Sequence, residues 1–202
     1  MKLLASPASP YARKVRVMLA EKHIDCEIHM VDVQPVDNPV VAHNPLGKLP
    51  TLLLDDGTPI YDSRVIVEFL DHVSPIGRLI PEENRERIAV HRWEALADGV
   101  LDAGALLRAE SLRPRQEQSE AWMARQRGKI ERGLAQMAHD LGDHAWCHHD
   151  RYSLADIALG CCLGWLEFRR PGDVEWRGKF APLARHLDKL SQRPAFANTV
   201  PR

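Results

Sequence analysis

The chain has 202 residues, 45% of them hydrophobic and 27% charged, with a formal net charge of −1. That composition is ordinary for a globular protein, and the length allows one large domain or two small ones. The near-neutral charge carries no nucleic-acid footprint, and no apolar run approaches the roughly 20 residues needed to cross a bilayer.

Met1-Lys2 leads straight into an apolar run, Leu3-Leu4-Ala5, that reads as a buried strand. No signal-peptide pattern precedes it, so a cytoplasmic protein is expected. Ser6-Pro7-Ala8-Ser9-Pro10 is a turn rich in breakers. From Tyr11 the spacing becomes helical, with Ala12, Val15 and Leu19 on one face and Arg13, Lys14 and Arg16 mostly off it. Pro10 suits the first turn of a helix and Ser9 its N-cap. The unpaired amides there favour an anion. Capping alone explains a serine in that place, so the role of Ser9 depends on the rest of the chain.

Cys26 to Val33 alternates as a second strand, which completes a βαβ unit. A polar segment, Gln34 to Asn44, reads as a loop with one helical turn. After Asn44-Pro45-Leu46-Gly47-Lys48-Leu49-Pro50 come a strand at Thr51 to Leu54, a hairpin signal at Asp55-Asp56-Gly57 and a return strand at Pro59-Ile60-Tyr61. Pro50 stands at the start of a strand, where proline is tolerated. A cis bond there would turn the Leu49 backbone outward, ready to pair with an extended peptide. Asp62-Ser63 precedes a helix from Arg64 to His72, with Ser63 as the expected N-cap. The helix amides and the hydroxyl suit a carboxylate, and Asp62 suits an ammonium; an amino-acid head group carries both.

From about Glu83 the pattern is helical throughout. Arg85 to Arg108 places Trp93, Val100, Gly104 and Leu107 on one face, and Gln116 to Leu141 is a second long helix. Ser153-Leu154-Ala155-Asp156 is a capping box that opens a very apolar third helix. Pro182 to Gln192 is the last. Residues 1–80 therefore form an α/β unit and residues 84–202 an all-α unit. Cys26, Cys147, Cys161 and Cys162 form no C-x-x-C pair. Cys147-His148-His149 comes nearest to a metal cluster, but neighbouring positions on a turn seldom converge on one ion, so no metal is expected.

Ser9-Pro10, the segment Asn44-Pro45-x-Gly47-Lys48-x-Pro50, Asp62-Ser63 and Ser153-x-x-Asp156 occur in order along almost the whole chain. Together they resemble the glutathione S-transferases, and among them the small bacterial members with a serine at the active site. The resemblance implies a thioredoxin-like N-terminal domain, an all-α C-terminal domain, a homodimer and glutathione as co-substrate. Ser9 would donate to the glutathione sulfur, with Ser6 as the alternative hydroxyl. Leu49, before a cis Pro50, would pair with the cysteinyl backbone. Asp62 and Ser63 would hold the γ-glutamyl group and Lys48 the glycyl carboxylate. Asp102, rather than Asp98, would reach the partner subunit's glutathione.

The implied second substrate is a hydrophobic electrophile near Leu101, Ala105 and Leu106, between the domains. Ser9-Pro10-Tyr11-Ala12 stands where the related glutaredoxins carry Cys-Pro-Tyr-Cys, and the loss of both thiols argues against dithiol redox chemistry. The alternatives are a glutathione-dependent peroxidase, dehalogenase or isomerase, or a non-catalytic binding or regulatory protein of the same fold. Ser9, Pro50 and Ser63 are all present, which favours an enzyme.

Overall fold

The computed structural model describes residues 1–202, and the chain divides into two compact units, Met1–Ile80 with Arg193–Arg202, and Pro81–Gln192. The sequence pattern assigned residues 84–202 to one unit; the structure instead returns the last ten residues to the first unit. The reason is a pair of side chains on the first helix, described below.

The first unit contains β1 (Lys2–Ala5), α1 (Pro10–Glu21), β2 (Glu27–Met30), β3 (Thr51–Leu53), β4 (Pro59–Ile60) and α2 (Ser63–Val73). The sheet order is β2-β1-β3-β4. β1 and β2 are parallel, as the crossover through α1 requires. β3 runs antiparallel to β1 and to β4. The stretch between β2 and β3 forms turns, among them a single helical turn closed by the Asn44 amide on the Val40 carbonyl at 2.8 Å. Leu3, Ala5, Val15, Met18, Leu52, Ile66 and Leu70 are fully buried and make the core of this unit. β2 is an edge strand, and its Ile28 and Met30 stay 38% and 45% exposed.

Arg13 and Lys14 were expected off the buried face, yet they are only 4% and 1% exposed. The C-terminal segment packs against α1 at Arg13. Arg13 donates to the Phe196 carbonyl at 3.2 Å and to Thr199 Oγ1 at 3.4 Å, with its guanidinium 5.5 Å from the Phe196 ring centroid. Phe196 belongs to a short helix, Pro194–Ala197. Arg193 adds a two-pronged ion pair with Glu21, at 2.8 and 2.7 Å. At the C-terminus of α1, Lys22 is buried against Asp71, with Nζ 2.9 Å from Oδ1. It also donates to the Ile76 and Gly77 carbonyls, and Asp71 accepts the amides of Leu79 and Ile80. The pair is fully hydrogen-bonded, the condition under which a buried charge is tolerated.

The second unit is built from α3 (Asn84–Ser111), α4 (Glu120–Leu141), α5 (Leu154–Arg169) and α6 (Ala181–Ser191). α3 packs on α4 and α5, and α6 packs on the same two helices. Glycine permits the closest approaches. A Cβ on Gly133 would collide with Val100, and one on Gly104 would lie 2.7 Å from the Trp165 ring. α5 is the central helix, buried along nearly its whole length. No helix is long and apolar enough to cross a membrane.

Candidate functional site

The strand registers bring three sequence-distant loops to one end of the sheet. β1 pairs with β3 through Leu4 opposite Thr51, and β3 pairs with β4 through Leu52 opposite Ile60. The residues after β1, before β3 and after β4 therefore flank the same sheet end. These are the turn to Ser9, the Leu49-Pro50 segment and Asp62-Ser63.

Ser9 is the N-cap of α1. Its backbone is extended, and its Oγ accepts the Ala12 amide at 3.2 Å. A hydroxyl that accepts at the cap keeps its one proton for another acceptor. Ser9 is partly exposed, and no acidic residue stands in the first turn of α1. Ser6 lies one turn earlier, where its carbonyl accepts the Ser9 amide at 3.2 Å. A cleft of about 390 Å³, lined by Ser6, Pro7 and residues 30–34, opens beside this turn.

The Leu49–Pro50 peptide bond is cis. The β1–β3 ladder ends at Thr51, so Leu49 lies beyond it with its backbone outside the sheet. Asn44, the first residue of the motif that ends at Pro50, organises this loop. Asn44 is only 2% exposed, and its amide nitrogen donates to the Lys48 carbonyl at 3.0 Å and to Thr51 Oγ1 at 3.3 Å. Its side-chain oxygen accepts the Leu46 amide. Gly47 takes a φ of 60°, which glycine adopts without cost. Asn-Pro followed by glycine was the available turn signal. The Lys48 side chain is exposed.

At α2 the cap is one residue earlier than expected. Asp62, not Ser63, is the N-cap, and its Oδ1 accepts the Arg64 amide at 3.0 Å. Ser63 is the first helical residue and is 3% exposed. Both residue types cap well, so local preference could not separate them. The peptide bond before Asp62 is also cis. Asp62 is exposed, and the first turn of α2 contains no acid. By contrast α3, α4 and α5 begin with Glu86, Glu120 and Asp156 in their first turns. Of the two helix starts at the sheet end, α1 is capped by a neutral hydroxyl and leaves its positive dipole end open to an incoming anion, whereas α2 already carries the Asp62 carboxylate at its cap.

The remaining predicted residues lie on α3, in the second unit. Asp102, Ala105 and Leu106 are exposed there, whereas Leu101 is only 2% exposed and Asp98 is buried. Three of the protein's four thiols are held back from the reactive thiolate form. Burial, with nearby Asp156, pushes the Cys147 thiol far up, and burial with Asp98 does the same to Cys162. Partial burial also raises Cys26. A thiolate is the reactive form, so these shifts disarm them.

Two family models cover most of the chain. Residues 8–73 match the model described as glutathione S-transferase, N-terminal domain, and residues 120–189 match the C-terminal domain of the same family. An uncharacterised GST-like protein of Escherichia coli, YibF, is 37% identical over 203 residues, covering 100% of this chain and 98% of its own. A glutathione S-transferase from Methylobacillus flagellatus, solved with glutathione bound, is 49% identical with a TM-score of 0.96, covering 100% of this chain and 99% of its own. One from Methylobacterium radiotolerans, in complex with glutathione sulfonate, is 42% identical with a TM-score of 0.94, covering 99% of this chain and 94% of its own.

Proposed function

The chain belongs to the glutathione S-transferase family, and from that premise we propose that it conjugates glutathione to a hydrophobic electrophile, with the Ser9 hydroxyl holding the sulfur as thiolate. The observation that carries this reading is the convergence at one sheet end of the Ser9 cap, the Leu49 backbone and the start of α2. Those are the parts a γ-glutamyl tripeptide needs. Ser63 and the free amides of α2 take the γ-glutamyl carboxylate. The second oxygen of Asp62 takes its ammonium. Leu49 pairs with the cysteinyl backbone, and Lys48 reaches the glycyl carboxylate.

The chemistry needs only a modest push. A free thiol has a pKa near 8.5, so only a few per cent is ionised at neutral pH. A hydrogen bond to a charged acceptor contributes about 1.5–3 kcal/mol, and about 1.4 kcal/mol corresponds to a tenfold change in ionisation. Ser9, aided by the dipole of α1, thus brings the bound thiol to a pKa roughly one to two lower, and about a quarter to three quarters of bound glutathione is thiolate at neutral pH. The thiolate attacks the electrophilic carbon, a sulfur–carbon bond forms, and the leaving group or added electron pair takes up a proton from water. The electrophile rests on α3 at Ala105 and Leu106; Leu101, being buried, supports that surface from beneath.

A homodimer is part of the same reading, with the exposed Asp102 directed at a partner's γ-glutamyl amine. The four unpaired cysteines fit a reducing compartment, and we place the activity in the cytoplasm. The test is a pH titration of the thiolate absorbance of bound glutathione in the wild type and in Ser9→Ala. The midpoint should rise by roughly one to two pH units in the variant. Coincident curves would reduce Ser9 to a helix cap and pass the activation to Ser6 or the helix amides.

A further inference from the structure

We propose that Glu86, His148 and His149 form a surface site for a divalent transition-metal ion, with zinc as its natural occupant. Glu86 stands in the first turn of α3, and the two histidines lie in the loop between α4 and α5. Glu86 Oε2 is 2.9 Å from His148 Nε2 and 4.0 Å from His149 Nε2. All three donor atoms lie within 4.8 Å of one another. Tetrahedral zinc, with bonds of about 2.0–2.2 Å, sets its ligands about 3.3–3.6 Å apart. The three donors straddle that spacing, so small rotamer changes suffice to close them around an ion.

Sequence reasoning set this segment aside because adjacent side chains diverge and because it looked to Cys147 for a third ligand. The fold changes both terms. His149 adopts a φ of 55°, and the turn is closed by a His148–Arg151 bridge. The two rings lie 5.1 Å apart at a 52° tilt and approach the same carboxylate. The third ligand comes from a helix more than 60 residues away in sequence. Cys147 is engaged elsewhere. Its Sγ lies 3.9 Å from His186 Nε2, and its amide donates to Asp156 Oδ1 at 2.9 Å, an oxygen that His186 Nε2 also approaches at 2.9 Å; all of these groups are buried in the fold, away from Glu86.

The donor set selects the ion class. Two imidazoles and a carboxylate suit zinc and its transition-metal neighbours; calcium and magnesium take oxygen ligands. The His148 side chain is 9% exposed, Glu86 42% and His149 76%. One ligand is thus anchored and the ion's remaining position faces water. Glu83, which caps α3 through the Glu86 amide, adds a second negative charge at a helix end that would otherwise repel a cation. A bound ion would tie the start of α3 to the loop before α5.

The test is a titration of the tag-free, full-length chain with cobalt(II), read by its visible absorption, followed by displacement with zinc. One ion per chain should bind, with ligand-field bands and no sulfur-to-cobalt charge transfer. Glu86→Gln and His149→Ala should each weaken binding by at least about tenfold, since even outer-shell changes cost that much. His149 is exposed enough that its removal leaves packing intact, and His139→Ala serves as the surface-histidine control. Zinc at a hundred times its dissociation constant should multiply the wild-type folding equilibrium about a hundredfold, and much less in either variant. Absence of binding, binding indifferent to Glu86→Gln and His149→Ala, or a sulfur charge-transfer band would each overturn the proposal.

Discussion

Ser9 and Ser153 both cap helices, and they sit in opposite surroundings. Ser153 is 3% exposed, and its hydroxyl is used in both directions. It accepts the Ala155 amide at 3.3 Å and donates to Asp156 Oδ2 at 3.3 Å, while Asp156 accepts the Ser153 amide at 2.9 Å. The other oxygen of Asp156 takes the Cys147 amide and His186. Every bond at that helix start closes on the protein itself. Ser9 accepts one amide, is partly exposed and has no acid in its turn to receive its proton. The comparison teaches that a capping serine is read by where its own proton goes. The Ser153 proton has an internal acceptor in Asp156, and the Ser9 proton is left for another acceptor.

Substitutions can break this contrast, and the largest effect should come from Asp156→Ala. It strands the Ser153 and Cys147 amides and His186 in a buried place. The expected cost is on the order of 3–5 kcal/mol, measured as a lower denaturation midpoint, with turnover per folded molecule unchanged. Ser9→Ala should do the reverse. Stability should fall by no more than about 1 kcal/mol, the ordinary cost of a cap, while turnover at neutral pH falls about tenfold or more. Equal losses of stability in the two variants would erase the distinction.

Ser153→Ala sharpens the contrast on a smaller scale. A lost cap costs about 0.5–2 kcal/mol, and burial puts this one at the upper end. Urea unfolding should register it, and steady-state turnover should not. The smallest effect is expected from Asp102→Ala, a several-fold weaker glutathione affinity with an unchanged fold. It asks whether the helical unit contributes to binding through a second copy. Sedimentation as a monomer with full affinity would remove that role.

The sequence carried the periodic elements well. The strands at Leu3 and Leu52, α1, α2 and the long helices announce themselves through spacing, turn residues and caps, because those signals are local. What escaped is tertiary. Arg13 and Lys14 look like solvent residues on a helical wheel, yet both are buried, and Arg13 bonds to Phe196 and Thr199 of the returning C-terminal segment. The alternation from Cys26 to Val33 marked a strand, but not that it lies at the sheet edge with Ile28 and Met30 exposed. At the candidate site Ser9, Leu49 and Asp62 were legible as motifs, and the register that gathers them at one sheet end was not. Asn44 was legible as the start of a motif, but its bond to the Lys48 carbonyl was not. Glu86 could not be linked to His148 by any spacing rule.

The return of the C-terminal segment to α1 also dictates an order of events during synthesis. A ribosome delivers the chain from its N-terminus, and domains generally fold as units as they emerge. Arg13 leaves the exit tunnel early, but its carbonyl partner on Phe196 lies 183 residues downstream. The helical unit is encoded between the two segments and ends at Gln192. It is therefore translated in full while the first unit still awaits its last ten residues. Until release, a guanidinium destined for burial must keep its company with water.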